Sequence, residues 1–210
     1  MITIIDYECG NLRSVQQAVE ACGGEVIVSS AIEDIARADQ LILPGVGAFP
    51  MGMTNLRRLG LDQVIRERVQ TGTPLLGICL GMQLLFDSST EHGGDTGLGL
   101  IPGQVVQIDV PDRKVKLPNV GWVPLQVEKA DVLLQENDYF YFVHSFHAQP
   151  RDSSVVLATA EYEGLSFCAA VSKDRVWGMQ FHPENSAQSG LGVLKRFIEL
   201  APTHHLQTLV

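Results

Sequence analysis

The chain lacks an excess of positive charge: 15 Lys and Arg stand against 24 Asp and Glu, a formal net charge of −9 over 210 residues. A surface of that sign has no electrostatic footprint for nucleic acid or an anionic membrane, and the composition favours a small-molecule or protein partner. No apolar run approaches the ~20 residues needed to cross a bilayer. The opening MITIIDYECG has no basic segment, and its apolar run ends at Asp6, so no signal peptide is expected. Cysteine is scarce. Cys9, Cys22, Cys79 and Cys168 are scattered without a C-x-x-C pair, which argues against a zinc ribbon or a disulfide scaffold and fits a reducing cytoplasm. Internal repeats, low-complexity tracts and convincing linkers are also missing, so one domain over residues 1–210 is expected.

What is present is alternation. ITIID, EVIVS, QLILP and TPLLGIC read as short buried strands. Between them lie helical patterns: Leu12, Val15, Val19 and Cys22 up to the Gly23-Gly24 stop, a stretch near residues 32–38, and another over residues 55–71. Beyond Phe86, SSTEHGGDTGLGLIPG reads as a polar, glycine-rich loop. QVVQIDV, WVPLQV, YFYFVHSFHA, SVVLATAEY, LSFCAAVS and VWGMQF then follow as strands without intervening helices, before a final helix marked by Leu191, Leu194, Phe197 and Ile198. The expected class is α/β: an open, mostly parallel sheet with helices on both faces, extended by antiparallel strands in the C-terminal half. Any site then belongs at the carboxyl ends of the parallel strands.

LLGICLGMQLLF places Cys79 between Gly77 and Gly81, where a strand pattern becomes a helix pattern. A nucleophile displayed on a strained strand-to-helix turn needs small residues two before and two after it, and helix-start N–H groups there can hold an oxyanion. Taken alone, the motif fits a buried structural cysteine equally well. Of six histidines, His204 and His205 lie in the tail after Pro202 and His92 lies in the glycine-rich loop. His144 and His147 share a strand-like run at a spacing that puts them on opposite faces, against a shared metal site. His182 follows VWGMQF and precedes Pro183-Glu184; in an extended segment His182 and Glu184 project to one side, and the carboxylate can orient the imidazole. Cys79, His182 and Glu184 together supply a nucleophile, a proton carrier and an orienting group.

GICLGMQ with FHPE resembles the class I, triad-type glutamine amidotransferases, whose fold is flavodoxin-like. LPGVGAF, YFVHS and DYECGNLRSV are similar to one branch of that family, over essentially the whole chain. The resemblance implies that Cys79 attacks the glutamine carboxamide, that His182 protonates the departing ammonia and activates water, and that Glu184 orients His182. It implies an oxyanion hole from the Leu80 N–H and from Val46 and Gly47 of the PGVG segment, where glycines permit a peptide flip. Gln83, Glu91 and the His144-Ser145-Phe146 backbone would bind the amino acid, and no metal or cofactor is implied. No segment is left for an ammonia acceptor, so a second polypeptide is implied, in this branch a (β/α)8 cyclase that forms a heterodimer and serves histidine biosynthesis. Asn119 in PNVGWV and Asn185 after Glu184 depart from the branch pattern, while Trp122 keeps it; all three are assigned to the partner face by the resemblance. Two alternatives stay open, a paralogous glutaminase feeding another synthase and a non-catalytic flavodoxin-like interaction domain.

Overall fold

A computed structural model describes residues 1–109, 116–134 and 138–200. Four strands alternate with helices in the first half: β1 (Ile2–Ile5), α1 (Leu12–Ala21), β2 (Val26–Ser29), α2 (Ile32–Arg37), β3 (Gln40–Leu43), α3 (Phe49–Arg58), α4 (Leu61–Gln70) and β4 (Leu75–Ile78). Each residue of β1, β3 and β4 is buried, which is why these strands read as unbroken apolar runs: helices cover both of their faces. α1 turns Val15, Ala18 and Val19 inward. It ends where Gly23, at φ +85°, lets the Gly23 and Gly24 N–H groups return to the Glu20 and Val19 carbonyls.

After the short α5 (Leu80–Leu84) come β5 (Phe86–Ser89), β6 (Asp95–Thr96), β7 (Ile101–Gln107), β8 (Asn119–Val127), β9 (Tyr139–His144), β10 (Phe146–Pro150), β11 (Val156–Tyr162), β12 (Leu165–Lys173), β13 (Val176–Met179) and α6 (Ala187–Ile198). The sheet runs β2-β1-β3-β4-β13-β12-β10-β7-β5-β6, with β11, β8 and β9 branching from β12. From β2 to β13 the strands are parallel; β12, β10 and β7 then alternate antiparallel. The mixed α/β class is as expected. One apolar cluster packs α1, α6 and the β8–β9 pair on one face, with Phe181 in ring contact with both Phe140 and Phe142, and the other packs α2 to α5 on the opposite face.

Three local expectations are corrected. The helical pattern at 55–71 is two helices, divided where Gly60 adopts φ +69°, and the first already begins at Phe49. The run YFYFVHSFHA is two strands: β9 pairs with β8, then Ser145 breaks the chain and β10 enters the main sheet between β12 and β7. The supposed loop after Phe86 opens with a strand, β5, paired parallel to β7.

The turn after β4 is fixed by close packing. A Cβ on Gly77 would lie 2.8 Å from the Gly81 carbonyl group, and one on Gly81 would lie 1.7 Å from the Leu43 carbonyl oxygen at the end of β3. Gly81→Ala is therefore expected to cost about 3 kcal/mol or more, the upper range of core overpacking. Gly23→Ala, where a Cβ meets nothing within 4 Å, is expected to cost only about 1 kcal/mol for its left-handed backbone. Urea unfolding midpoints of the two variants test the contrast; equal losses would contradict it.

Candidate active site

Cys79 is the residue between β4 and α5, and its backbone (φ +53°, ψ −109°) is one that L-residues rarely adopt. Strain of that kind costs roughly 1–3 kcal/mol. The Gly77–Gly81–Leu43 contacts and a 2.7 Å hydrogen bond from the Cys79 N–H to the Met179 carbonyl hold it. The side chain is directed into the site, with Sγ 3.9 Å from the Val143 carbonyl and 3.8 Å from the Gln180 amide nitrogen.

His182 follows β13, the strand beside β4, so the parallel register brings it to the same end of the sheet. His182 and Glu184 come together, but not in an extended segment. Pro183–Asn185 form a 3-10 turn that folds Glu184 back, and His182 Nδ1 meets Glu184 Oε1 at 2.8 Å with both side chains almost fully buried. Ser186 secures the turn: its hydroxyl donates to the His182 carbonyl and accepts from the Tyr141 N–H. Among the described residues His182 Nε2 has no hydrogen-bond partner of normal geometry, yet Cys79 is close enough to act on its charge. Burial alone pushes the imidazole pKa down; the interactions with Cys79 and Glu184, and their charges, outweigh it and raise the pKa from 6.5 to about 10.

A cavity of about 270 Å³ opens beside Cys79, lined by Val46, Gly47, Leu80, Gln83, Glu91 and residues 143–146, with Pro118 at its mouth. That is below the roughly 300–1,000 Å³ of pockets for drug-sized ligands and suits an amino acid. Gln83 Nε2 donates to the Phe146 carbonyl and to Gln180 Oε1, each at 3.1 Å. Glu91 Oε2 accepts the Phe49 N–H at the start of α3 at 2.7 Å. His144 Nδ1 contacts the Phe146 carbonyl and its Nε2 the Asn119 amide, so Nδ1 donates and Nε2 accepts. Burial is the main reason its pKa falls to about 4, which keeps this ring neutral.

The Leu80 N–H donates to the Gly45 carbonyl at 3.3 Å. Gly45 itself is required by space rather than by an unusual φ: a Cβ there would lie 2.1 Å from the Tyr7 hydroxyl and 3.0 Å from Leu80 Cβ. Only Gly47 in this segment has a positive φ, +109°.

Of the residues assigned to a partner face, Trp122 is 51% exposed and Asn185 lies on the surface, whereas Asn119 is buried with its amide on His144. Asn119 therefore supports His144, which lines the cavity. Sequence reasoning missed Gln180, which joins Gln83 to Cys79, and Tyr7, whose hydroxyl donates to the Pro44 carbonyl at 2.7 Å. The available signal for Gln180 was a polar side chain directly after an apolar strand, two residues before His182.

Comparison with known proteins agrees with this geometry. The sequence model described as glutamine amidotransferase class-I matches residues 3–200. The chain is 46% identical over 199 residues to "Imidazole glycerol phosphate synthase subunit HisH" of Rhodopirellula baltica, covering 94% of this chain and 96% of that one. It is 47% identical to the protein of the same name from Geobacillus thermodenitrificans, covering 94% and 95%. Among solved structures, one described as a glutamine amidotransferase superposes with TM-score 0.75 at 20% identity, covering 95% of this chain and 100% of that one, and PurLQS from Thermotoga maritima with TM-score 0.73 at 21% identity, covering 94% and 96%. At those identities the structural likeness speaks for the fold.

If Glu184 helps hold the proton on His182, Glu184→Gln lowers the imidazole pKa from about 10, because burial then acts with one opposing charge fewer. Carbon-13 NMR titration of the histidine rings is the measurement; an unchanged His182 midpoint would contradict the assignment.

Proposed function

The chain belongs to the class-I glutamine amidotransferases, and from that premise we propose that it is the glutaminase subunit of imidazole glycerol phosphate synthase in histidine biosynthesis, working as one domain in the cytoplasm. The observation that carries the reading is the convergence of Cys79, on its strained turn, with the buried His182–Glu184 pair beside a cavity of amino-acid size. The length and identity of the relatives named HisH support the choice of synthase.

The electrostatics order the steps. While Cys79 is a thiolate, its charge helps keep His182 protonated. Attack of Sγ on the side-chain carbonyl of glutamine forms a C–S bond and removes that charge, so His182 becomes a stronger acid as the C–N bond breaks and passes its proton to the leaving nitrogen. Ammonia departs, and the neutral imidazole then takes a proton from the water that hydrolyses the thioester to glutamate. Glu184 holds Nδ1 throughout, which leaves Nε2 for the transfers. Glu91, the acidic group on the cavity wall, suits the α-ammonium of the substrate, and Gln83 and the 144–146 backbone its remaining polar groups.

The oxyanion hole rests in an off state in this reading. Leu80 N–H, one donor, is occupied by the Gly45 carbonyl. Rotation of the Gly45–Val46 peptide withdraws that carbonyl and turns the Val46 N–H toward the substrate in one motion. A missing oxyanion donor costs about 100- to 1,000-fold in rate, which is enough to suppress idle hydrolysis.

The partner is a HisF-type (β/α)8 cyclase, bound as a heterodimer. Val120 and Trp122 on β8 and Val143 on β9 are 54%, 51% and 36% exposed, and they lie beside one another in register. Val143 also lines the cavity, so an apolar face of this kind stands where ammonia would leave, and a partner seated on it would receive ammonia without release to bulk water. The cyclase would add ammonia to a phosphoribulosyl-formimino nucleotide, giving imidazole glycerol phosphate and an aminoimidazole carboxamide ribonucleotide.

Cys79→Ala is expected to lower glutamine-dependent turnover of the complex by about 10⁴-fold or more while leaving turnover with ammonium salts intact. The two assays run side by side with the cyclase test this. Retained glutamine turnover in the folded variant would sink the chemistry, and lost ammonia turnover with the complex intact would sink the division of labour.

A further inference from the structure

The PGVG segment is held at both ends and free in between. At its start, Tyr7, two residues beyond β1 and fully buried, donates its hydroxyl to the Pro44 carbonyl at 2.7 Å. The same hydroxyl fills the space that a Cβ on Gly45 would take, 2.1 Å away. Tyr7 is itself braced, because the loop it begins is tied to α3: Asn55 Nδ2 reaches Cys9 Sγ at 3.3 Å, and Arg58 pairs with Glu8. Burial, helped by the nearby Cys9 and Cys79, raises the phenol pKa well above 10, so it stays a neutral donor. At the far end, the Phe49 N–H is fixed on Glu91. Val46 and Gly47 between these anchors are exposed, and a Cβ on Gly47 would meet nothing within 4 Å.

We propose that Tyr7 is a positioning residue that pins the Pro44–Gly45 peptide and so confines the conformational change of this segment to the Gly45–Val46 peptide. This rests on the glutaminase reading above. With the Pro44 carbonyl held, the Gly45 carbonyl can leave the Leu80 N–H only by rotation of its own peptide plane, and that rotation presents the Val46 N–H. Removal of the blocking acceptor and supply of the second donor become one event. Without the anchor the whole segment can shift, the off state leaks and the on state is less well aimed.

The test is glutamate production by the full chain, alone and with the HisF-type cyclase plus its nucleotide substrate, for wild type and Tyr7→Phe. The ratio of stimulated to basal rate is expected to fall at least about tenfold in Tyr7→Phe, the scale expected when a buried acceptor loses its donor, with the glutamine KM of the complex little changed. A purely structural role would lower both rates together and leave the ratio unchanged, and that result overturns the proposal. Wild type that makes no glutamate, or is not stimulated, overturns the functional reading itself. A second measurement needs no variant. In nitrogen-15 spectra of the wild-type complex, adding the nucleotide should move the Val46 and Gly47 amides and leave the Gly45 amide, which reports on the pinned peptide, in place; a Gly45 shift as large as theirs contradicts the pivot.

Discussion

The site depends on one steric constraint, the contact of Gly81 with the Leu43 carbonyl under the turn that carries Cys79. Because no side chain separates α5 from the end of β3, the chain can reverse over a single residue, and that residue is forced to φ +53°. The same closeness puts the Leu80 N–H within reach of the Gly45 carbonyl in the segment that follows β3. Thiol display and the occupation of the Leu80 N–H are thus consequences of one packing arrangement. An ordinary residue at position 81 would disturb both.

The second element is the buried proton. His182 and Glu184 sit almost without solvent, an environment that by itself disfavours a charged imidazole. The interactions with Cys79 and Glu184 outweigh it and raise the imidazole pKa. In the proposed reaction Glu184 keeps its place beside the ring, whereas Cys79 is acylated and its interaction with the ring is lost. A group whose proton affinity falls at the moment a proton is needed elsewhere requires no separate trigger. His144, whose ring feels the charge of His182, shows the opposite case: burial is the main reason its ring stays neutral, and it contacts Asn119 and the Phe146 carbonyl.

Much of this was legible in the sequence because it depends on local rules. Buried parallel strands are continuous apolar runs, so β1, β3 and β4 could be read directly, and Gly-x-Cys-x-Gly announces a turn that only glycines allow. His182 and Glu184 were found by spacing, although the geometry that joins them is a 3-10 turn and not an extended strand. What escaped depends on contacts between distant segments. Tyr7 is 37 residues from the carbonyl it holds, and Gln180 is 97 residues from Gln83; the polar residue after β13 hinted at Gln180, but its partner and that of Tyr7 are set by the fold. Ser145 gives no sign in the sequence that the chain leaves the β8 branch there for the main path of the sheet. Asn119 was assigned to the partner face by the resemblance, and its burial accompanies the register of β8 with β9, which pairs it with His144.

The central claim is that Cys79, alone among the four cysteines, is the nucleophile of a glutamine-shaped site. It is tested most directly with a glutamine analogue carrying a chloroketone in place of the carboxamide, applied to the chain together with the proposed cyclase and followed by peptide mass mapping. The account predicts one adduct, on Cys79, suppressed by excess glutamine. Adducts on Cys9, Cys22 or Cys168 in its place, or labelling of Cys79 that glutamine does not slow, would contradict it.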